Sequence, residues 1–321
     1  MRRTFLLFAL LAAPLLAQES LLETQPPKEP LKYPTGVILV KGAEPSASDA
    51  KTPLPEGGRM ANDAYKNDYF GLVYALPRGL KQPFEGPPPS ESGGYVLAQL
   101  QPTEVTAAAD KPSMLITAQD LFFGVMPAKT AMDLVAYKKE VLPNYYEVER
   151  PPAEVKIAGR TFARFDYVSR VAGLHWAVLA TEVRCHAVQF VVTGRDAKQM
   201  DAVIASLDAM KIGSVDAPAC VRDYATGANV LFRVEPVLTE HKFSRIPVRI
   251  VVDTKGRVKH IHFLTAFPQQ AQIITDALQR WRLKPYVVNG EAVEVETGLV
   301  FGEVAPASSP AGTRASRARD E

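Results

Sequence analysis

Two signals four residues apart, Pro285 and the dipeptide Asn289-Gly290, leave the C-terminal part of this chain very few backbone paths. Pro285 lacks an N–H and its ring clashes with the preceding turn, so a helix cannot continue through it. The pattern before it puts Ile273, Ile274, Ala277, Leu278 and Trp281 on one helical face, with Trp281 as its last core residue. Asn289 and Gly290 both tolerate the positive φ that a two-residue hairpin turn requires, and they separate 286–288 from 292–295. Upstream, 248–253, the turn Thr254-Lys255-Gly256 and 257–264 predict another hairpin. Residues 230–304 thus read as a small antiparallel sheet carrying a helix.

At 321 residues the chain exceeds one ordinary core, which predicts two domains. The first spans 63–213. Apolar runs at 69–77, 95–101, 114–119, 154–157, 161–168, 175–182 and 185–192 read as strands. Thr130 followed by Asp133 marks a capping box and opens a helix with Ala131, Leu134, Val135, Lys138, Val141 and Leu142 inward, closed by Pro143. Met200, Val203, Ile204, Leu207 and Met210 mark a second helix. The expected class is α+β: two domains, each an antiparallel sheet packed with helices. Proline-bearing residues 18–62, the segment 214–229 and the Ala/Ser/Pro/Arg tail 305–321 read as linkers or disordered.

Met1-Arg2-Arg3 precedes an apolar run of 13 residues, Phe5 to Ala17, against roughly 20 needed to span a bilayer. This predicts a signal peptide, residues 1–17, cleaved after Ala17, and a periplasmic or secreted protein. In such a compartment the two cysteines, Cys185 and Cys220, are expected to form one disulfide, worth about 4 kcal/mol in the chain-entropy model. Lys and Arg total 37 against 35 Asp and Glu, a balance that gives no electrostatic footprint for nucleic acid.

The ordered set Val251-Val252-Asp253-Thr254-Lys255-Gly256-Arg257-Val258, then a helix, then Trp281-Arg282-Leu283-Lys284-Pro285, then Asn289-Gly290-Glu291-Ala292-Val293, resembles the C-terminal domain of the TonB family. The resemblance implies a periplasmic domain that binds an envelope protein or extended peptide by β-strand pairing. The implied edge is the last strand, with Val293, Val295, Thr297, Leu299 and Phe301 as partner-binding residues and Trp281, Pro285, Asn289 and Gly290 as structural ones. A TonB-type energy transducer that engages an outer-membrane receptor is the alternative implied by the same resemblance. Residues 63–213 are more loosely similar to the PsbP-type α/β/α fold, through Phe70-Gly71-Leu72-Val73-Tyr74-Ala75-Leu76-Pro77-Arg78-Gly79. A small-ligand carrier or enzyme using a cleft there is a third reading.

The chain carries no Gly-x-Ser-x-Gly, phosphate loop, dinucleotide fingerprint or Cys-x-x-Cys, so no catalytic residue, cofactor or metal is assigned. His260 and His262 share one face of a strand, and with Ile261 and Phe263 inward both are expected to face water. Cys185 and His186 are neighbours on the same predicted strand and point to opposite faces, which excludes a dyad between them. Asp110, Asp120, Asp133 and Asp166 are scattered, and His175 and His241 stand alone.

Overall fold

Residues 94–194 supply most of the larger of two main sheets, and the continuous buried runs 177–181 and 186–190 show that its central strands are covered on both faces. The computed structural model describes residues 38–39, 47–48, 53–83, 93–103, 111–124, 126, 128–214, 216–238 and 246–302. The leader, most of the 18–62 segment, Asp110, His241 and the C-terminal tail 305–321 lie outside them. Among the described residues no helix is long and apolar enough to cross a membrane.

Two short strands, β1 (Ile38–Leu39) and β2 (Ala47–Ser48), come first. A three-stranded meander follows: β3 (Arg59–Ala61), β4 (Ala64–Asn67) and β5 (Leu72–Ala75). Secondary structure therefore reaches into residues expected to be linker. The seven-stranded sheet is then assembled from β6 (Leu80–Lys81), β7 (Gly94–Pro102), β8 (Ser113–Asp120), β9 (Glu147–Ile157), β10 (Arg160–Ser169), β11 (Leu174–Val183) and β12 (His186–Gly194). Its order is β6-β7-β8-β12-β11-β10-β9, antiparallel throughout. The edge strand β9 carries Pro151 and Pro152, which lack N–H donors, and a register shift against β10, features that discourage further pairing.

Helices cover both faces of this sheet. Helix α1 (Ala131–Glu140) buries Ala131, Leu134 and Val135 against Phe165, Val178, Ala180 and Ala187. Its capping box is formed: the Thr130 hydroxyl accepts from the Asp133 N–H at 3.0 Å, and the Asp133 carboxylate accepts from the Thr130 N–H at 3.1 Å. Of the expected inward stripe Val141 is exposed, because the chain leaves the helix after Glu140, whereas Leu142 packs half-buried against the same core. Helix α2 (Ala197–Ser206), capped by Asp196, places Met200, Val203 and Ile204 on the opposite face, over Leu179, Phe190 and Val192.

The second main sheet uses β13 (Ala219–Cys220), β15 (Ile246–Val252), β16 (Val258–Phe263) and β20 (Val295–Phe301), in the order β1-β2-β16-β15-β20-β13. Between them lie β14 (Val230–Phe232), helix α3 (Pro268–Leu278), β17 (Arg282–Leu283), and the hairpin of β18 (Tyr286–Val288) and β19 (Glu291–Val293). In the β15–β16 turn the Asp253 carboxylate accepts from the Lys255 and Arg257 N–H groups, each at 2.8 Å. Gly256 has φ +75°, and a Cβ there would stand 1.9 Å from the Leu283 carbonyl oxygen, so only glycine admits β17 at that point. Asn289 and Gly290, with φ 51° and 86°, turn β18 into β19.

Helix α3 stops at Leu278, seven residues before Pro285, which lies exposed between β17 and β18. The earlier stop follows from tertiary contacts: Trp281 turns into the core, fully buried, and Leu283 bonds to Gly256 instead of continuing a helix. The Trp281 indole N–H donates to the Val234 carbonyl at 2.9 Å. Replacing Trp281 by Phe keeps an aromatic ring but leaves that carbonyl unsatisfied, an expected loss of about 1–2 kcal/mol in chemical unfolding. An unchanged midpoint would remove the assigned role of this bond.

Helices and predominantly antiparallel sheets make the chain α+β. Residues 214–229, expected to be a linker, contribute β13 to the second sheet and Tyr224 and Ala225 to its core.

Candidate functional site

In the second sheet, Arg249, Val251, His260, His262, Glu296 and Gly298 share the face opposite to α3, as their cross-strand pairing shows. A face left uncovered by a helix commonly meets water in an antiparallel sheet. Here Arg249 and Glu296 are each 2% exposed and His262 is 4% exposed. They are covered by Tyr69, the end of β8 with Phe122 and Phe123, and the tip of the β11–β12 hairpin, Arg184-Cys185-His186. Glycine is required at 298 for this approach, since a Cβ would lie 2.6 Å from the Phe123 ring. The expectation that His262 faces water is corrected accordingly: its face of β16 is roofed by the first sheet's loops.

The two sides exchange charges. Arg249 of β15 places Nε 2.9 Å from Asp120 Oδ2, while Arg184 of the hairpin tip places Nε 3.0 Å from Glu296 Oε2 of β20. The Asp120 Oδ1 atom accepts from the N–H groups of Phe122 and Phe123 at 2.7 and 2.9 Å. The Tyr69 hydroxyl donates to Glu296 Oε1 at 2.7 Å, and the Arg184 guanidinium lies 3.9 Å over the Tyr69 ring. Arg249 also donates to the Cys185 carbonyl at 3.2 Å. Two arginines thus meet two carboxylates, and each side supplies one of each.

Burial raises the Asp120 carboxyl, opposed by Arg249 and the two backbone N–H donors. Burial also works against the Arg249 guanidinium, yet Asp120 above all holds it protonated. His186 is pushed well below its usual value, first by burial and then by Arg249. Its Nδ1 lies 2.7 Å from the Arg184 carbonyl oxygen, which can only accept, so Nδ1 carries the proton of a neutral ring. His262 is pushed down to about 3 by burial and by Arg249. Tyr69 is raised by burial and by Glu296, so its hydroxyl stays protonated as a donor.

The same hairpin tip is tied covalently: Cys185 and Cys220 form a disulfide, with Cα atoms 5.4 Å apart. Arg184 and Cys185 both take positive φ, 48° and 59°, and they form the turn itself rather than the start of β12. Such a conformation costs a non-glycine residue about 1 kcal/mol or more. The ion pair and the disulfide hold it in place.

No family model matches this chain, and no curated protein does. The cavity at the ionic junction, lined by Tyr69, Arg184, Arg249, His262 and Glu296 among others, has a volume of about 20 Å³. That is room for about one water molecule and not for a substrate. Although it concentrates perturbed titratable groups, the junction acts as a polar lock between two sheets. A larger cavity of about 320 Å³ lies beside the start of α1, lined by Glu154, Arg160, Thr161, Thr181 and Glu182 among others. Its polar groups include several already engaged: Arg160 donates to the Glu182 and Ile212 carbonyls, and the Glu182 carboxylate accepts from the Ala131 N–H. Among the described residues no three His, Cys, Asp or Glu side chains converge as metal ligands.

The edge expected to be free on the last strand is covered along 294–298. β13 pairs in parallel with β20, Ala219 opposite Val295 and Cys220 opposite Glu296. The Arg222 carbonyl then accepts from the Gly298 N–H and the Thr297 hydroxyl. Val295, Thr297 and Phe301 are buried, Leu299 is half-buried against the α3 core, and Val293 belongs to the β18–β19 hairpin. The reason is connectivity: the segment leaving α2 runs along β20 before entering the second sheet. At the other edge β2 pairs with β16, Ser48 opposite His262 and Ala47 opposite Phe263.

Sequence reasoning missed Arg249 and Glu296. The signal was a single arginine inside the apolar run Ile246–Val252, on the face that carries no helix contacts. Asp120 was noted only as one of several scattered acids.

Proposed function

We propose that the chain is an exported, periplasmic or secreted interaction protein, with a leader ending at Ala17, two domains, and a TonB-like C-terminal unit at 230–304 that binds extended peptide segments by strand pairing. The binding edge in this reading is the outer side of β16 rather than β20. The observation that carries it is β2: an extended segment of the chain itself, two residues long, adds antiparallel to the end of the six-residue β16. Backbone hydrogen bonds give such an edge affinity for many sequences, and alternate side chains tune it. The Cys185–Cys220 disulfide fits an exported protein.

A photo-crosslinking residue at the exposed Lys259 of β16, in the full-length chain, tests the reading. Adducts with a cell-envelope protein are expected, mapped to one extended segment of it. Ala47→Pro/Ser48→Pro removes both N–H donors of β2 and is expected to raise the adduct yield several-fold. No adduct from either version would overturn the assignment.

A further inference from the structure

The outer edge of β20 is covered by a strap only a few residues long. Ala219 donates its N–H to the Glu294 carbonyl at 2.8 Å and Val221 to that of Glu296 at 3.1 Å, and the Arg222 carbonyl completes the contact. The residues just before it, 216–218, are exposed or half-buried. What fixes the strap in its middle is the bond from Cys220 to Cys185. The two ends of that bond differ: Cys185 is 4% exposed, whereas Cys220 is exposed. The backbone at Cys185 and at the adjacent Arg184 is in the left-handed region that non-glycine residues disfavour.

We propose that the Cys185–Cys220 disulfide is an exchange site for a dithiol reductant, and that opening it releases the strap Ala219 to Arg222 from β20. One thiolate of the reductant attacks the sulfur of Cys220, the more exposed of the two residues, forming a mixed disulfide, and Cys185 leaves as a thiolate that takes a proton from water. The reductant's second thiolate then attacks its own sulfur in the mixed disulfide and expels Cys220 as a thiolate, which is protonated in turn. Two electrons pass to the protein; the reductant ends as a disulfide and both cysteines as thiols. The freed edge offers the backbone groups of 294–298 to another extended chain, on the opposite side of the sheet from β16. The inference goes beyond the proposed function and stands without it.

Full-length protein is treated with dithiothreitol in the absence of denaturant, thiols are counted, and amide hydrogen exchange is followed by mass spectrometry. Two thiols per chain are expected. Exchange at 219–222 and 294–298 is expected to accelerate at least tenfold while 248–252 keep their protection. Three outcomes would overturn the proposal: no thiols without denaturant, thiols with an unchanged strap, or loss of protection across both sheets. The last would make the bond a general staple instead of a local clasp.

Discussion

Replacing Arg249 by Met is expected to destabilise the folded chain by about 3–5 kcal/mol, because it leaves the Asp120 carboxylate buried without its cation. Asp120 would keep the N–H groups of Phe122 and Phe123, which do not neutralise it. Glu296 would suffer less, since Arg184 and the Tyr69 hydroxyl remain. Pairing the change with Asp120→Asn removes both charges and keeps an acceptor for the backbone N–H groups. The double variant is expected to regain at least half of the loss, as buried ion pairs commonly do when replaced as a unit. Urea unfolding of parent, single and double variants measures both figures. A single variant within 1 kcal/mol of the parent, or a double no better than the single, would count against the lock.

Acidification is expected to cost about 2 kcal/mol between pH 7 and pH 5 from the buried imidazole of His262, and His186 adds to the loss in the same direction. His262, held down to about 3, and His186, held well below its usual 6.5, stay neutral in the folded chain across this window. In the unfolded chain both take up protons below about pH 6.5. The unfolded state therefore binds more protons, so stability is complete above that value and declines as pH falls, by about 2 kcal/mol for His262 at pH 5. Arg249 and Arg184 face this cluster as fixed cations, with Asp120 and Glu296 as their partners. Asp120, raised by burial, acts in the opposite sense, so the upper part of the window is the cleanest to read. Denaturant midpoints at several pH values check the slope, and His262→Gln is expected to remove the His262 share of it, about 2 kcal/mol. A flat profile, or one insensitive to that change, would contradict the assignment.

Local chemistry made many elements legible in the sequence. The capping box at Thr130 and Asp133, the turn at Asn289-Gly290 and the Asp253/Gly256 turn each depend on residues close to one another in the chain, so spacing alone reveals them. The strands of the larger sheet were also visible in outline, although β9 extends to Glu147 through two prolines that an edge strand tolerates. What failed were features decided at long range. α3 stops at Leu278 because of where Trp281 and Leu283 must go, not because of Pro285. The free edge of β20 was lost to Ala219 and Cys220, whose pairing follows from the route between sheets. His262 read as a surface residue because nothing in a strand's own alternation says whether its second face will be covered by residues more than seventy positions earlier.

The hairpin tip at 184–186 gathers a salt bridge, a crosslink and a tautomer-fixing hydrogen bond in three consecutive residues. Adding or deleting one residue there would turn the salt bridge and the crosslink away from their partners together and break the local hydrogen bond between His186 and Arg184. At this bend the number of residues constrains the chain as tightly as their identities do, and an indel would be harsher than any single exchange of side chains.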